Sequence, residues 1–229
     1  MKEWIYRKIT KMDKKIEWLR LFVHFGAWVT LLVLILINFA NPNSVNPILT
    51  FEHHTGKAAL IFLILSLAGT PVGSILEWKD FAKRKKALGV YGFMFAAVHL
   101  LAFLWLDYGF QFKFIFNVVK NTVYIWFGLA AFLMVLALAI TSFKKMKQLM
   151  KKNWKRLHRL AYVIAPLVVI HFFLIVKANF LTLQGNVREP LIYGSIVLFL
   201  LLVRIPIIKR ALINLRTLIQ SRTRRVNPV

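Results

Sequence analysis

The sequence predicts an all-α, polytopic membrane protein: a six-transmembrane-helix bundle with both termini cytoplasmic. Three observations carry this expectation. The chain of 229 residues is 59% hydrophobic, with a mean hydropathy of +0.64. That is more apolar surface than a soluble domain can hide, whereas a bilayer can cover it. Six apolar stretches are each long enough to cross a hydrocarbon core, which takes about 20 helical residues. Basic residues accumulate on alternate connections between those stretches, as the positive-inside rule requires.

Residues 1–20 form a basic amphipathic N-terminal segment. Trp4, Ile5, Ile9, Ile16, Trp18 and Leu19 sit among its lysines, the pattern of a helix lying along a membrane surface; a solvated basic tail explains it as well. The transmembrane domain is expected over residues 21–208. Its first span, Leu21–Asn38, does not read as a cleaved signal peptide. The polar lead and the apolar stretch are both too long, and no small-x-small site follows. The outer loop Phe39–His54 contains Asn-Pro-Asn and Asn-Pro, which form turns. The second span is Thr55–Leu76, with Thr55 or His54 as its cap and a kink expected at Gly69-Thr70-Pro71. The third is Leu88–Tyr108 and the fourth Thr122–Phe143. The fifth, His158–Lys177, carries Pro166 at its middle, and Pro206 ends the sixth, Leu191–Ile208. Residues 209–229 read as a basic cytoplasmic tail. Beta-barrel alternation is absent, so helices are the spanning structure, and no internal repeat stands out.

Of the 32 Lys and Arg, 27 fall in four segments: seven in 1–20, five in 77–87, eight in 144–159 and seven in 204–229. The others, Lys57, Lys113, Lys120, Lys177 and Arg188, are spread over the three remaining connections. The net charge of +24 is thus first an orientation signal and then an attraction to anionic membrane lipid. No nucleic-acid recognition fold accompanies it, so nucleic acid is not an expected partner.

The chain has no cysteine. That excludes disulfides, thiolate-ligated or covalently attached haem, and cysteine-held iron–sulfur clusters. Any metal must be held by histidine. No glycine-rich strand–turn–helix follows the sixth span, and no outer loop is long enough for a catalytic domain. A donor or acceptor site of substantial size is expected on another protein.

Histidine inside a span is costly and usually serves chemistry. The third and fifth spans run in the same direction, so depths on them compare directly. Counted from Leu88 and His158, His99 lies 11 residues in and His171 lies 13 residues in. These are roughly 16 Å and roughly 20 Å along the axis. Two imidazoles at one depth on separate helices are what a b-type haem needs for its axial ligands. A proton relay and polar helix glue remain as other readings.

His158 stands at the inner boundary within Arg156-Leu157-His158-Arg159. It reads as an interfacial residue, a ligand to a second haem, or a contact to flavin or quinone. The third span offers Lys85 and Lys86 there instead of histidine, so a symmetrical stack of two haems is not available on these helices. Thirteen residues of ideal helix leave His158 and His171 about 220° apart unless Pro166 rewinds the turn. His24 is expected at the inner interface; His53 and His54 are expected to be structural.

Four runs carry a resemblance. Trp154 to Lys177 reads WKRLHRLAYVIAPLVVIHFFLIVK and Arg84 to Phe103 reads RKKALGVYGFMFAAVHLLAF. The second span opens HHTGKAALIFLILSLAGTP and the fourth ends ALAITS. Together they resemble the MsrQ (YedZ) haem-binding membrane subunits of the ferric-reductase-like transmembrane group, over residues 50–205. The resemblance implies haem b, with His99 and His171 on the iron and His158 also haem-linked, and an association with FMN. It implies electrons taken from quinone or a cytosolic flavin reductase and passed across the bacterial inner (plasma) membrane. The implied acceptor is a periplasmic, molybdenum-dependent, MsrP-like methionine sulfoxide reductase. Arg84, Arg156 and Arg159, with Lys83 to Lys86, are the candidates for a flavin phosphate or an acidic donor at the inner face. The outer run FKFIFNVVKNTVYIWFG lacks the Arg-Pro-Tyr-like stretch expected of such relatives, which bears on the partner rather than on haem. The competing functions are a self-contained ferric or other metal reductase and a haem-free transporter or membrane scaffold.

Overall fold

The computed structural model describes the backbone of residues 2–40, 46–176 and 187–226. Among the described residues every regular element is helical. Helix α1 (Lys2–Phe39) runs unbroken from the basic segment into the first span. Helix α2 (Pro47–Ile75) starts eight residues before the expected Thr55. The Asn46 side chain caps it, accepting the Leu49 N–H at 3.0 Å, and Pro47 takes the first turn. The Asn-Pro pair read as loop is therefore a cap followed by the one helical position that suits proline. Pro71 lies inside α2 without ending it.

Helix α3 (Lys79–Leu101) places the basic run Lys83–Lys86 on helix rather than in a loop. It continues through a π-helical turn, Ala102–Asp107, just beyond His99. A short helix α4 (Phe112–Asn121) occupies the outer connection read as loop. Then come α5 (Val123–Ile140), α6 (Lys144–Met150) and α7 (Lys152–Leu157). A 3-10 turn, His158–Leu160, joins α7 to α8 (Ala161–Ile175). The last helices are α9 (Arg188–Leu202) and α10 (Pro206–Val226).

Among the described residues, five stretches are long and apolar enough to cross a membrane: Trp18–Phe39, Pro47–Ile75, Lys79–Asp107, Val123–Ile140 and Lys152–Ile175. The expected sixth span is divided: α9 and α10 meet at 86°. Pro206 cannot donate to the helix before it and disfavours helix in the residue ahead of it, so α9 stops at Leu202. The chain is a multi-pass membrane protein. Phe22, Phe25, Trp28 and Leu36 of α1 are exposed in the chain alone, the outward apolar surface that lipid covers.

Helix α2 is the hub. Phe62 stacks on Phe95 of α3 at 5.2 Å, within an apolar cluster of α1, α2 and α3. On its other side Leu60, Ile64 and Leu67 pack against Ala165 of α8 and Val197 and Leu200 of α9. Helix α2 pairs with α3, and α5 with α8. Those four helices frame both sites below.

Arginine ties α10 back to the bundle. Arg216 donates to the Ile75 carbonyl and to Glu77 Oε1, both at 2.8 Å. Bonds from a charged donor are each worth about 1.5–3 kcal/mol, and less where water reaches the pair. Arg216→Ala is expected to loosen α10. Trypsin should then cut after Lys209 or Arg210 several-fold faster in detergent; an unchanged cleavage rate would show that this anchor carries no weight.

Candidate functional site

His99, near the end of α3, and His171, in the second half of α8, meet between the helix pairs. Their ring centres are 6.3 Å apart and the planes cross at 80°. Each ring is partly buried, and each is fixed by the same kind of bond. His99 Nδ1 lies 2.9 Å from the Glu52 carbonyl of α2. His171 Nδ1 lies 2.7 Å from the Tyr124 carbonyl of α5. A carbonyl only accepts, so Nδ1 of each ring carries the proton and donates it. The lone pair then sits on Nε2 in both rings, the form in which histidine binds metal with its other nitrogen anchored.

The spacing suits one metal held between the rings. A histidine nitrogen binds a transition metal at about 2 Å, which puts two opposed ring centres on the order of 6 Å apart once the ring radius is added. Among the described residues no group of three or more His, Cys, Asp or Glu is placed to hold an ion. Two imidazoles alone undercoordinate a bare transition ion. They complete the shell of an iron whose other four donors come from a tetrapyrrole. The residues present therefore fit haem.

Two other histidines are held elsewhere. His54 Nδ1 pairs with Asn38 Nδ2 at 3.2 Å. His24 is bound across the bundle to the Tyr91 hydroxyl at 2.6 Å, a partner that sequence gave no reason to name. Glu52, beside the pair, is buried, and its Oε1 has no hydrogen-bond partner. Lys57 and Glu189 form an ion pair at 2.5 Å between α2 and α9.

His158 lies at the opposite end of the four helices. Three residues of 3-10 helix add about 60° of rotation to the 220° expected of ideal helix, which turns its side chain nearer to the face that carries His171. It opens onto a cavity of about 550 Å³. His158 Nε2 lies 3.2 Å from the Thr141 hydroxyl, and its ring stacks on Trp154 at 4.0 Å. Trp154 Nε1 in turn donates to the Thr141 carbonyl at 2.8 Å. Leu67, Val135 and Ile164 form apolar walls, while Lys85, Lys86, Lys144, Lys147, Lys155, Arg159 and Arg204 give the cavity its charge.

Of the three arginines expected on this face, Arg159 lines the cavity, whereas Arg84 and Arg156 do not. Arg84 keeps a buried Nε without a hydrogen-bond partner. Arg204 and Trp154 were missed as cavity residues. Arg204 donates to the Tyr162 hydroxyl at 2.8 Å and to the Leu67 carbonyl. A lone arginine closing an apolar run just ahead of Pro206 was the available signal. Among the described residues no second histidine lines this cavity; Lys85, Lys86 and Gly89 line it from α3.

Residues 55–169 match the family model described as ferric reductase like transmembrane component. The chain is 38% identical over 156 residues to a protein of Xanthomonas campestris pv. campestris, covering 68% of each chain. It is 37% identical over 161 residues to one of Herminiimonas arsenicoxydans, 70% of this chain and 72% of that one. It is 38% identical over 167 residues to one of Rhodospirillum rubrum, 72% of this chain and 77% of that one. All three relatives are called protein-methionine-sulfoxide reductase heme-binding subunit MsrQ.

Proposed function

The chain belongs to the ferric-reductase-like transmembrane component family, among relatives of the MsrQ kind, and from that membership we propose that it carries electrons across a bacterial inner membrane through b-type haem. The observation that supports this best is the paired, anchored imidazoles of His99 and His171. These two residues hold the iron. When bound, haem supplies a one-electron carrier inside the bilayer. The Glu52 and Tyr124 carbonyls keep each ring in the tautomer that offers Nε2, and the surrounding helices exclude water.

The inner cavity is the donor's entry, with both termini on that, cytoplasmic, side. Its lysines and arginines attract an anion, Trp154 and His158 offer a flat aromatic floor, and the apolar walls accept a ring system. Reduced FMN and quinol both suit that combination, and a cytosolic flavin reductase is the protein that delivers the former. The outer acceptor is a methionine sulfoxide reductase, a reading supported by the relatives' description as heme-binding subunits of one; the family resemblance implies that it is periplasmic and molybdenum-dependent. There two electrons and two protons convert a sulfoxide to a thioether and water.

The test is reoxidation. The purified protein is reduced, and its haem band is followed after adding such a reductase with methionine sulfoxide, or ferric chelate alone. Rapid reoxidation only with the reductase and its substrate supports the relay. Equal rates with ferric chelate alone would point to a self-contained metal reductase. A purified protein with no haem band would leave a transporter or scaffold.

A further inference from the structure

The two histidines are presented by matching local structures, and glycine is the matching part. His99 reaches a carbonyl 47 residues before it, and so does His171. In each case a glycine stands four residues after that carbonyl: Gly56 after Glu52 and Gly128 after Tyr124. The run is Gly56-Lys57-Ala58-Ala59 on α2 and Gly128-Leu129-Ala130-Ala131 on α5. Histidine and glycine in the first set each recur 72 residues later in the second. The inner cavity keeps the same spacing: Thr70 and Ser142, and Lys86 and His158, all line it. The similarity is too sparse to read as a sequence repeat, but the hydrogen bonds expose it.

Helix geometry gives the glycines a purpose. A helical side chain leans toward the N-terminus and covers the turn before its own Cα. The side chain at position i+4 therefore shields the carbonyl of residue i. That carbonyl already accepts the i+4 N–H and has a second lone pair to offer. A residue without a side chain leaves an imidazole the most room to reach it sideways.

We propose that Gly56 and Gly128 are positioning residues for the haem ligands, each baring the backbone carbonyl that orients one imidazole. This rests on the ligand reading of His99 and His171. A Cβ on Gly128 would fall 2.6 Å from Cε1 and 2.8 Å from Nδ1 of His171. The ring must leave its place, and with it the bond to Tyr124. A Cβ on Gly56 would fall 3.3 Å from Cε1 and Nδ1 of His99, so that ring gives by a few tenths of an ångström and stays bound. The two halves of the site are thus unequal in tolerance.

The experiment compares Gly128→Ala, Gly56→Ala and Gly194→Ala by haem content, optical spectrum and low-temperature EPR of the ferric protein. Gly194 is the control: a Cβ there meets Val169 at 3.2 Å, a similar crowding on α9 that touches no histidine. Orienting partners of ligand histidines are worth about 10–100-fold in metal affinity. Gly128→Ala should lower low-spin haem by at least tenfold. Gly56→Ala should keep haem but shift its EPR signature, and Gly194→Ala should leave both unchanged. Should Gly128→Ala fail to fold, the comparison of Gly56 with Gly194 decides by itself. Wild-type spectra in Gly56→Ala and Gly128→Ala, alongside loss of haem in His171→Ala, would overturn the positioning role and leave the ligands standing. A retained band in His171→Ala and His99→Ala would instead remove the reading beneath it.

Discussion

His171→Ala, and separately His99→Ala, should each empty the outer site of low-spin haem. The partners that merely orient a ligand histidine contribute about 10–100-fold in metal affinity; removing the ligand itself should cost more than that. Each ring is bound to a different helix pair, His99 to the Glu52 carbonyl and His171 to the Tyr124 carbonyl. His54 is engaged with Asn38 and is not a replacement ligand. The measurement is the reduced-minus-oxidised spectrum per mole of purified protein. His24→Ala belongs in the same series: its ring serves Tyr91 rather than the pair, so its band should stay at wild-type height. A band that survives in both His99→Ala and His171→Ala would remove the ligands from the account.

Reversing the charge of the inner cavity should give the second large effect. Lys86 and Arg159 both line it, one from α3 and one from the turn that leads into α8. Clefts lined by one sign of charge raise association rates by about 10–1000-fold, and salt erodes the gain. The double variant Lys86→Glu and Arg159→Glu should slow haem reduction by reduced FMN at least tenfold in stopped flow, with haem content unchanged. Salt should slow the wild type toward the variant and hardly move the variant itself. Equal rates and equal salt dependence in the two proteins would place the donor's entry elsewhere.

The outer pair was legible because helix depth is arithmetic. Residue counts along two parallel spans put His99 and His171 level, and the rings are in contact distance of one another. Apolar stretches likewise gave five spans, since length and hydropathy are local properties. The start of α2 was not legible in the same way. Asn46-Pro47 is a turn signal and also a cap followed by the first helical residue, and only packing decides between them. The division of α9 from α10 follows from Pro206, but the 86° angle between them and the arginine bonds to Leu67 and Ile75 involve residues far away in sequence, which local pattern does not reach. His158 shows the limit most clearly. A 3-10 turn, invisible to periodicity, re-aims its ring, and Thr141 and Trp154 come from elsewhere in the chain to hold it. The basic cavity needed four helices to exist before its lining could be named; Arg159 is part of that lining, whereas Arg84 and Arg156 are not.

Low-temperature EPR of the purified ferric protein tests the central claim most directly. Two imidazoles on one iron predict a low-spin signal of the bis-histidine type, present in the wild type and gone when either His99 or His171 becomes alanine. A protein without pigment, or a bis-histidine signal that outlasts both substitutions, would contradict it.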